Sequence, residues 1–384
     1  MQRSYQYRLY PNATQASALE TILCQSRLLY NEALAHRRDV YKHAEQSVSY
    51  VDQWNRFRED RKARLEDFGL LNATAVQQLL RRLDKTFQAF FRRIRNGDKP
   101  GFPRFKPATR FRSMEYRHGD GCKLQGTVFY LQHVGEVRIR LHRPVPKGCL
   151  KHVTLTRKTG GRWLICFSGD DGVEPPPLRT GKAVGVDKGL RSLLTFSDGT
   201  HIDNPRWLRT SLARLRRAQR ALARKTKGGS NRDKQAQRVA RLHERIANQR
   251  KDFWHKITTR LTQTYALIAV EDLPLGFITQ NRRLALSAHD AGLGMFQAML
   301  DYKAERAGCA VVAVDPKRTS QVCSGCGKRA KKSLRQRWHS CSCGVELDRD
   351  VNAAVNILHK ARCGPLAVNV DAVRSRVGQE AVCL

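Results

Sequence analysis

Four acidic residues stand where a carboxylate can meet an ion. Asp187 closes the apolar run Ala183-Val-Gly-Val, and Glu271 follows Ala266-Leu-Ile-Ala-Val270. Asp348 and Asp350 lie just before Val351-Asn-Ala-Ala-Val-Asn-Ile357, which has helical periodicity. Acids at strand ends and at a helix start can converge, from distant parts of a chain, on one edge of an α/β sheet, where such proteins place their chemistry. Hard oxygen donors in this number suit Mg²⁺, which a few carboxylates hold together with water and substrate phosphate. Two such ions about 3.5–4 Å apart activate a water and stabilise the leaving oxygen of a phosphodiester. Each acid alone has a plainer reading, as a turn residue, a solvent-facing strand end or a helix cap. Their joint placement in a chain with only 34 Asp plus Glu favours the site.

Sulfur makes the second constellation. Cys323-Ser-Gly-Cys326 and Cys341-Ser-Cys343 are separated by 14 residues, the spacing of a four-thiolate ribbon closed around one structural Zn²⁺. The second pair has a single intervening residue, which leaves open His339 as a substitute ligand or a loop geometry slightly different from the usual knuckle. The other cysteines of the 11 are scattered without framework spacing, so the cluster argues for metal rather than disulfides.

The elements that must carry these residues show a change of period. Ser4 to Tyr10 alternates like a strand until Pro11-Asn12 breaks it and caps a helix. Residues 12–95 read as a helical insertion, with Leu19, Ile22, Leu23, Leu29 and then Val76, Leu79, Leu80, Leu83 and Phe87 at helical spacing. From about Gly126 to Asp170 the period is two, an antiparallel meander that forms a small barrel if the first strand joins it. Between them, Lys99-Pro-Gly-Phe-Pro-Arg104-Phe-Lys106 interleaves basic and aromatic residues. It reads as a segment that stacks bases and binds phosphates, with Arg104 and Lys106 as contacts, or equally as a Pro/Gly linker. Three successive prolines at 175–177 mark a boundary. Beyond it the order of strands and helices is α/β, with two long basic helices over 206–263 broken at Lys227-Gly-Gly-Ser-Asn231.

Lys plus Arg number 71, for a formal charge of +37, and a body this basic calls for a polyanion. No amphipathic basic helix with a bulky apolar face, no apolar run of about eighteen residues and no signal-peptide core is visible. A nucleic-acid partner, no membrane and a cytoplasmic, nucleoid-associated location are expected.

The chain resembles the TnpB family of transposon-encoded proteins, relatives of the type V CRISPR effector nucleases. The likeness runs nearly end to end, through Arg8-Leu-Tyr-Pro11 with Gln15, Arg27-Leu-Leu-Tyr-Asn31, Gly101-Phe-Pro-Arg-Phe-Lys106, Gly185-Val-Asp-Lys-Gly-Leu190, Val270-Glu-Asp-Leu273, Thr319-Ser-Gln-Val-Cys-Ser-Gly-Cys-Gly327 and Asp348-Arg-Asp-Val-Asn-Ala-Ala-Val-Asn-Ile357. Each motif is short; together and in this order they are specific.

The resemblance implies a multidomain α/β plus β fold. A wedge-like β-barrel (1–11 and 96–178) carries the helical recognition insertion (12–95). A RuvC nuclease domain of RNase H-like fold follows (179–319 and 345–362), with a zinc ribbon (320–344) and a tail (363–384) expected to be disordered. It also implies a guide RNA from the transposon end, double-stranded target DNA beside a short motif read by the protein, and a monomer, with a dimer as the alternative. On this match Asp187, Glu271 and Asp350 are the catalytic triad that holds two Mg²⁺ ions, and Asp348 is a cap or outer acid. Tyr30, Asn31, Gln77 and Gln78 are candidates near the DNA-motif reader. The function implied is an RNA-guided DNA endonuclease. The rivals are a guide-dependent repressor without cleavage, a transposase or its accessory protein, and a non-enzymatic zinc-ribbon RNA binder. The acids at strand ends argue against the first and last, and the absence of a His cluster for a Tyr nucleophile argues against a transposase.

Overall fold

Alternation at the start of the chain builds β1 (Gln2–Tyr10), with Tyr5, Tyr7 and Leu9 buried and the residues between them turned outward. The computed structural model describes residues 1–330, 332–333 and 336–363, with Leu275 and Phe277 as backbone alone; the expected tail from residue 364 onward, and part of the basic run 328–337, lie outside these. The chain divides into two units, Met1–Glu174 and a second from Pro175.

In the first unit β1 is followed by α1 (Ala13–Ala44), α2 (Tyr50–Ala63), α3 (Leu65–Phe68) and α4 (Ala73–Arg95), then by β2 (Ser113–Arg117), β3 (Cys122–Gln125), β4 (Val128–Leu131), β5 (Gly135–Arg140), β6 (His152–Arg157) and β7 (Trp163–Asp170). Asn12, the residue after Pro11, and Gln15 form a reciprocal capping box that starts α1 at Ala13. The seven strands form one sheet in the order β2-β6-β7-β1-β5-β4-β3. The first strand in sequence is therefore an inner strand, paired antiparallel with β7 from Gln2↔Asp170 to Leu9↔Trp163 and with β5 from Arg8↔Arg140. The sheet is a near-closed barrel whose outer strands are β2 and β3. Those two strands carry no alternation that the sequence reading used, being short and half polar (Ser-Met-Glu-Tyr-Arg in β2). The face of α4 bearing Val76, Leu79, Leu80, Leu83 and Phe87 joins the core beneath the sheet.

The second unit runs β8 (Ala183–Lys188), β9 (Ser192–Phe196), β10 (His201–Asp203), α5 (Trp207–Ala223), α6 (Ser230–Thr264), β11 (Leu267–Glu271), α7 (Leu275–Gln280), α8 (Ala285–Ala291), α9 (Leu293–Ala307), β12 (Ala310–Val314), β13 (Trp338–Ser340), β14 (Glu346–Asp348) and α10 (Arg349–Cys363). Its five-stranded sheet has the order β10-β9-β8-β11-β12; β8, β11 and β12 are parallel, and β9 pairs antiparallel with both β8 and β10. Strand period two divides the sheet's residues between two cores. Val184, Val186, Ile268 and Val270 pack with Trp254 of α6 and Phe296 of α9. Ala183, Leu267, Ala269, Val312 and Val314 pack with Ile357, Leu358 and Ala361 of α10. Among the described residues no helix is long and apolar enough to cross a membrane.

Candidate active site and zinc cluster

The two faces of the sheet decide where the acids point. Asp187 and Glu271 share the parity of Ala183 and of Leu267 and Ala269, so both leave the sheet on the side covered by α10. The parallel register pairs Val186 with Val270, which puts Asp187 and Glu271 on the next rung of adjacent strands.

The third acid arrives because β8 has a glycine under the helix. A Cβ on Gly185 would stand 1.9 Å from the Ala354 carbonyl oxygen and 2.9 Å from Leu358 Cβ, so α10 lies directly on the β8 backbone. One helical turn back from Ala354, about 6 Å, is Asp350. Two residues along β8 from Gly185, a similar distance of about 6.6 Å, is Asp187. Matching advances on helix and strand bring the two carboxylates together.

Asp348 has a different position. Its Oδ1 accepts from the backbone N–H of Asp350 at 2.8 Å and of Val351 at 3.3 Å, which caps the start of α10. The Asp350 carboxylate instead meets Arg349, whose Nε and Nη2 both lie 3.2 Å from Oδ1.

The electrostatics register the crowding. Burial, then the charges of Glu271 and Asp350, push the Asp187 carboxyl up to about 8. Burial also raises Glu271, against the hydrogen bond from Thr319 and the charges of Lys188 and Lys360. Thr319 Oγ1 sits 2.5 Å from Glu271 Oε1, which fixes one carboxylate oxygen. Lys188 is held beside this group with its ammonium disfavoured first by burial, and it donates to Gln297 at 3.3 Å. Asp187 is thus buried beside two other acids that raise its proton affinity, a gathering of oxygen donors of the type divalent cations take.

The four cysteines meet as well. Their sulfurs all lie within 4.8 Å of one another, with Cys323–Cys343 and Cys326–Cys341 each at 3.6 Å. A tetrahedral Zn²⁺ with bonds of about 2.3 Å spaces its sulfurs by about 3.8 Å, so the set fits that ion. The glycine after each pair, Gly327 (φ 73°) and Gly344 (φ 88°), takes the left-handed conformation that wraps each loop. The backbone N–H of Cys343 leads the effects that lower the Cys341 thiol to about 6, while Cys343 itself is raised, against the Val345 backbone N–H, by the other three sulfurs. His339 is outside this group; it is buried on β13 with Nδ1 against Lys332 Nζ, so the single-residue gap of the second pair is accommodated without it.

The expected nucleic-acid contacts fare differently. Tyr30 is 2 % exposed and packs on Phe111, and the Asn31 amide both donates to and accepts from the Lys106 backbone, at 3.1 and 2.8 Å. Tyr30, a candidate near the DNA-motif reader, is therefore a core side chain, and Asn31, another, anchors the 101–106 strap to α1. Gln77 and Gln78 are half-buried on α4, and Gln78 lines a small cleft with Ser26, Arg82 and Met114. Arg104 is exposed and Lys106 half-buried, and between them Phe105 is 45 % exposed under the Arg38 guanidinium.

The sequence reading did not single out Thr319, Asn352 and Asn356, whose hydrogen bonds tie together the elements around these acids and cysteines. Asn352 Nδ2 donates to the Val322 carbonyl at 2.8 Å and its Oδ1 accepts from Ser324 N–H at 3.0 Å; Asn356 Nδ2 donates to the carbonyls of Thr319 at 2.9 Å and Val322 at 2.7 Å. Two polar side chains one turn apart on an otherwise apolar helix face were the available signal.

Residues 165–282 match a family described as "Probable transposase", residues 294–357 one described as "Cas12f1-like, TNB domain", and residues 1–46 one described as "Helix-turn-helix domain". In this structure the last stretch is β1 followed by the single helix α1. A protein of Streptomyces pristinaespiralis named "Putative RNA-guided DNA endonuclease" is 35 % identical over 393 residues, covering 100 % of this chain and 96 % of its own length. InsQ of Escherichia coli (strain K12), which bears the same description, is 31 % identical, with 93 % and 91 % covered. The Cas12f1 chain of a cryo-EM Cas12f1–sgRNA–target DNA complex superposes with a TM-score of 0.57 at 12 % identity, over 93 % of this chain and 98 % of that one, a likeness of fold.

Proposed function

This chain belongs to the TnpB family of transposon-encoded RNA-guided nucleases, and from that membership we propose how it works as an RNA-guided DNA endonuclease. It cuts target DNA at the carboxylates Asp187, Glu271 and Asp350, next to a short motif that the protein reads, with the guide RNA supplying most of the sequence specificity by base pairing. The observation that carries the chemistry is the convergence of these three acids on one face of the sheet, with Asp187 pushed up to about 8 by burial and by its two neighbours.

Two Mg²⁺ ions bound there would activate the attacking water and neutralise charge on the leaving oxygen. The protein's own residues set the stage. Thr319 fixes Glu271 Oε1. Arg349 engages Asp350 through Oδ1. Asp348 caps α10 and so holds Asp350 at the first turn. Cys323, Cys326, Cys341 and Cys343 would hold one Zn²⁺ in a structural role. The excess of Lys and Arg serves the RNA and DNA backbones. Arg104 and Lys106, with Phe105 exposed between them, are the strap's candidates for nucleic-acid contact, and Gln77 and Gln78 those of α4.

Asp187→Ala, purified with its guide, should lose Mg²⁺-dependent cleavage and keep guide-dependent DNA binding. Unchanged cleavage refutes the site. Sequencing the RNA that copurifies tests the partner: one defined long RNA is expected, and random fragments refute guidance.

A further inference from the structure

The zinc cluster and the carboxylates are joined by one line of hydrogen bonds. Glu271 Oε1 takes the Thr319 hydroxyl. The Thr319 carbonyl takes Asn356 Nδ2, which also reaches the Val322 carbonyl. That same carbonyl takes Asn352 Nδ2, and Asn352 Oδ1 receives the Ser324 N–H. Cys323, the buried cysteine of the cluster, lies between Val322 and Ser324. Both asparagines are buried, at 0 % and 7 % exposure, so an amide with no partner here would be costly. Among the described residues, the side-chain amides of both bond main-chain groups of 319–324. Asn352 is two residues from Asp350 on the same helix. The acid on α10, the acid on β11 and the first cysteine loop are thus fixed to one another by side chains that hold no metal themselves.

We propose that Asn352 and Asn356 are positioning residues: they lock α10 to the cysteine loop, so that zinc occupancy sets how tightly Asp187, Glu271 and Asp350 hold their divalent ions. The inference rests on the nuclease reading above. With zinc bound, the 323–326 loop is rigid and the two amides have fixed carbonyls to meet. Without zinc the loop relaxes, and Asp350 and the Thr319–Glu271 bond lose their common support.

The readout is Mn²⁺ binding by electron paramagnetic resonance in the protein–guide RNA complex, together with the Mg²⁺ concentration for half-maximal cleavage. Asn352→Ala and Asn356→Ala should each weaken Mn²⁺ binding about tenfold or more, the range for an outer partner of a metal ligand. Each should raise the Mg²⁺ requirement in step while keeping one zinc per chain and cleaving near the normal rate at saturating Mg²⁺. Cys326→Ser should lose zinc and shift Mn²⁺ binding in the same direction, and adding Asn352→Ala to it should produce little further change. Unaltered Mn²⁺ affinity in the alanine variants, or full additivity with Cys326→Ser, overturns the proposal. If Asn356→Ala fails to fold, wild-type complex stripped of zinc by chelator decides: Mn²⁺ binding equal to that of the zinc-loaded complex overturns it. Asp187→Ala separates the two readings, because cleavage that survives in that variant refutes the nuclease site itself, whatever the asparagine variants do.

Discussion

Asp187 carries the clearest energetic signature of any residue in the site. Its carboxyl is raised to about 8, first by burial and then by Glu271 and Asp350. Between the ordinary carboxylate range and that value, the metal-free folded protein holds a proton that the unfolded chain has released. Stability must therefore fall as pH rises through this window. The melting temperature of metal-free protein should drop from about pH 5 to about pH 8, and Mg²⁺ should restore more of it at the upper end, where the acids are ionised. Asp187→Asn should flatten the profile; differential scanning calorimetry with and without Mg²⁺ checks this, and a flat wild-type profile contradicts it. The neighbouring pair separates in the same way. Asp348→Ala removes the cap of α10 and should cost about 1 kcal/mol of stability while leaving measurable cleavage. Asp350→Ala should abolish cleavage with a smaller effect on melting. The reverse pattern would exchange their roles. In the sequence Asp187 and Glu271 were legible because each stood at the end of an apolar run, and Asp348 and Asp350 because they stood before a stretch of helical period. The choice between Asp348 and Asp350 came from family resemblance alone, since both precede the same helix and only the side chain's direction distinguishes a cap from an inward-facing acid.

At the scale of elements, the site depends on how closely α10 lies on β8. Gly185 has no left-handed backbone to explain it; its lack of a side chain leaves room for the Ala354 carbonyl. Gly185→Ala places a methyl against backbone that cannot swing aside, and overpacking of this kind costs about 1–3 kcal/mol. The expected result is a lower melting temperature and a loss of cleavage larger than any loss of guide RNA binding, because the helix that moves carries Asp350. Cleavage at the wild-type level would show that the helix tolerates the shift and that the acids are not so finely set. The long strands and helices here were readable from period: the reading of 310–314 as a strand coincides with β12, and the break at 227–231 falls where α5 gives way to α6. The outer strands β2 and β3 were not, because short half-polar segments acquire their pairing from the sheet rather than from their own pattern. Asn352 and Asn356 offered only their recurrence one turn apart, since asparagine on a helix reads as neutral until its main-chain partners are known.

For the whole molecule, the dominant fact is the charge of +37, and it makes a quantitative demand. Each phosphate neutralised releases counterions, so the logarithm of affinity falls with the logarithm of salt by about 0.9 per contact on duplex DNA and about 0.7 on single strands. Charge alone names a polyanion without choosing among RNA, DNA and their hybrid, which is why the guide was legible only through resemblance. In the basic hairpin of α5 and α6, Arg214, Arg217 and Arg238 rim a cleft of about 450 Å³ floored by Ala218, Ala221 and Leu242. That apolar floor accounts for the pairing of the two helices, whereas nothing in the pairing needs three guanidiniums along its edge. Replacing the three arginines with glutamine should leave melting nearly unchanged and reduce the salt slope of nucleic-acid binding by about 2–3. The weakening should be uniform across target sequences, because phosphate contacts carry no base information. Binding measured at several salt concentrations checks the slope. A wild-type slope in the triple variant would mean that the hairpin's charge faces only solvent, and a loss confined to particular targets would mean that it reads bases.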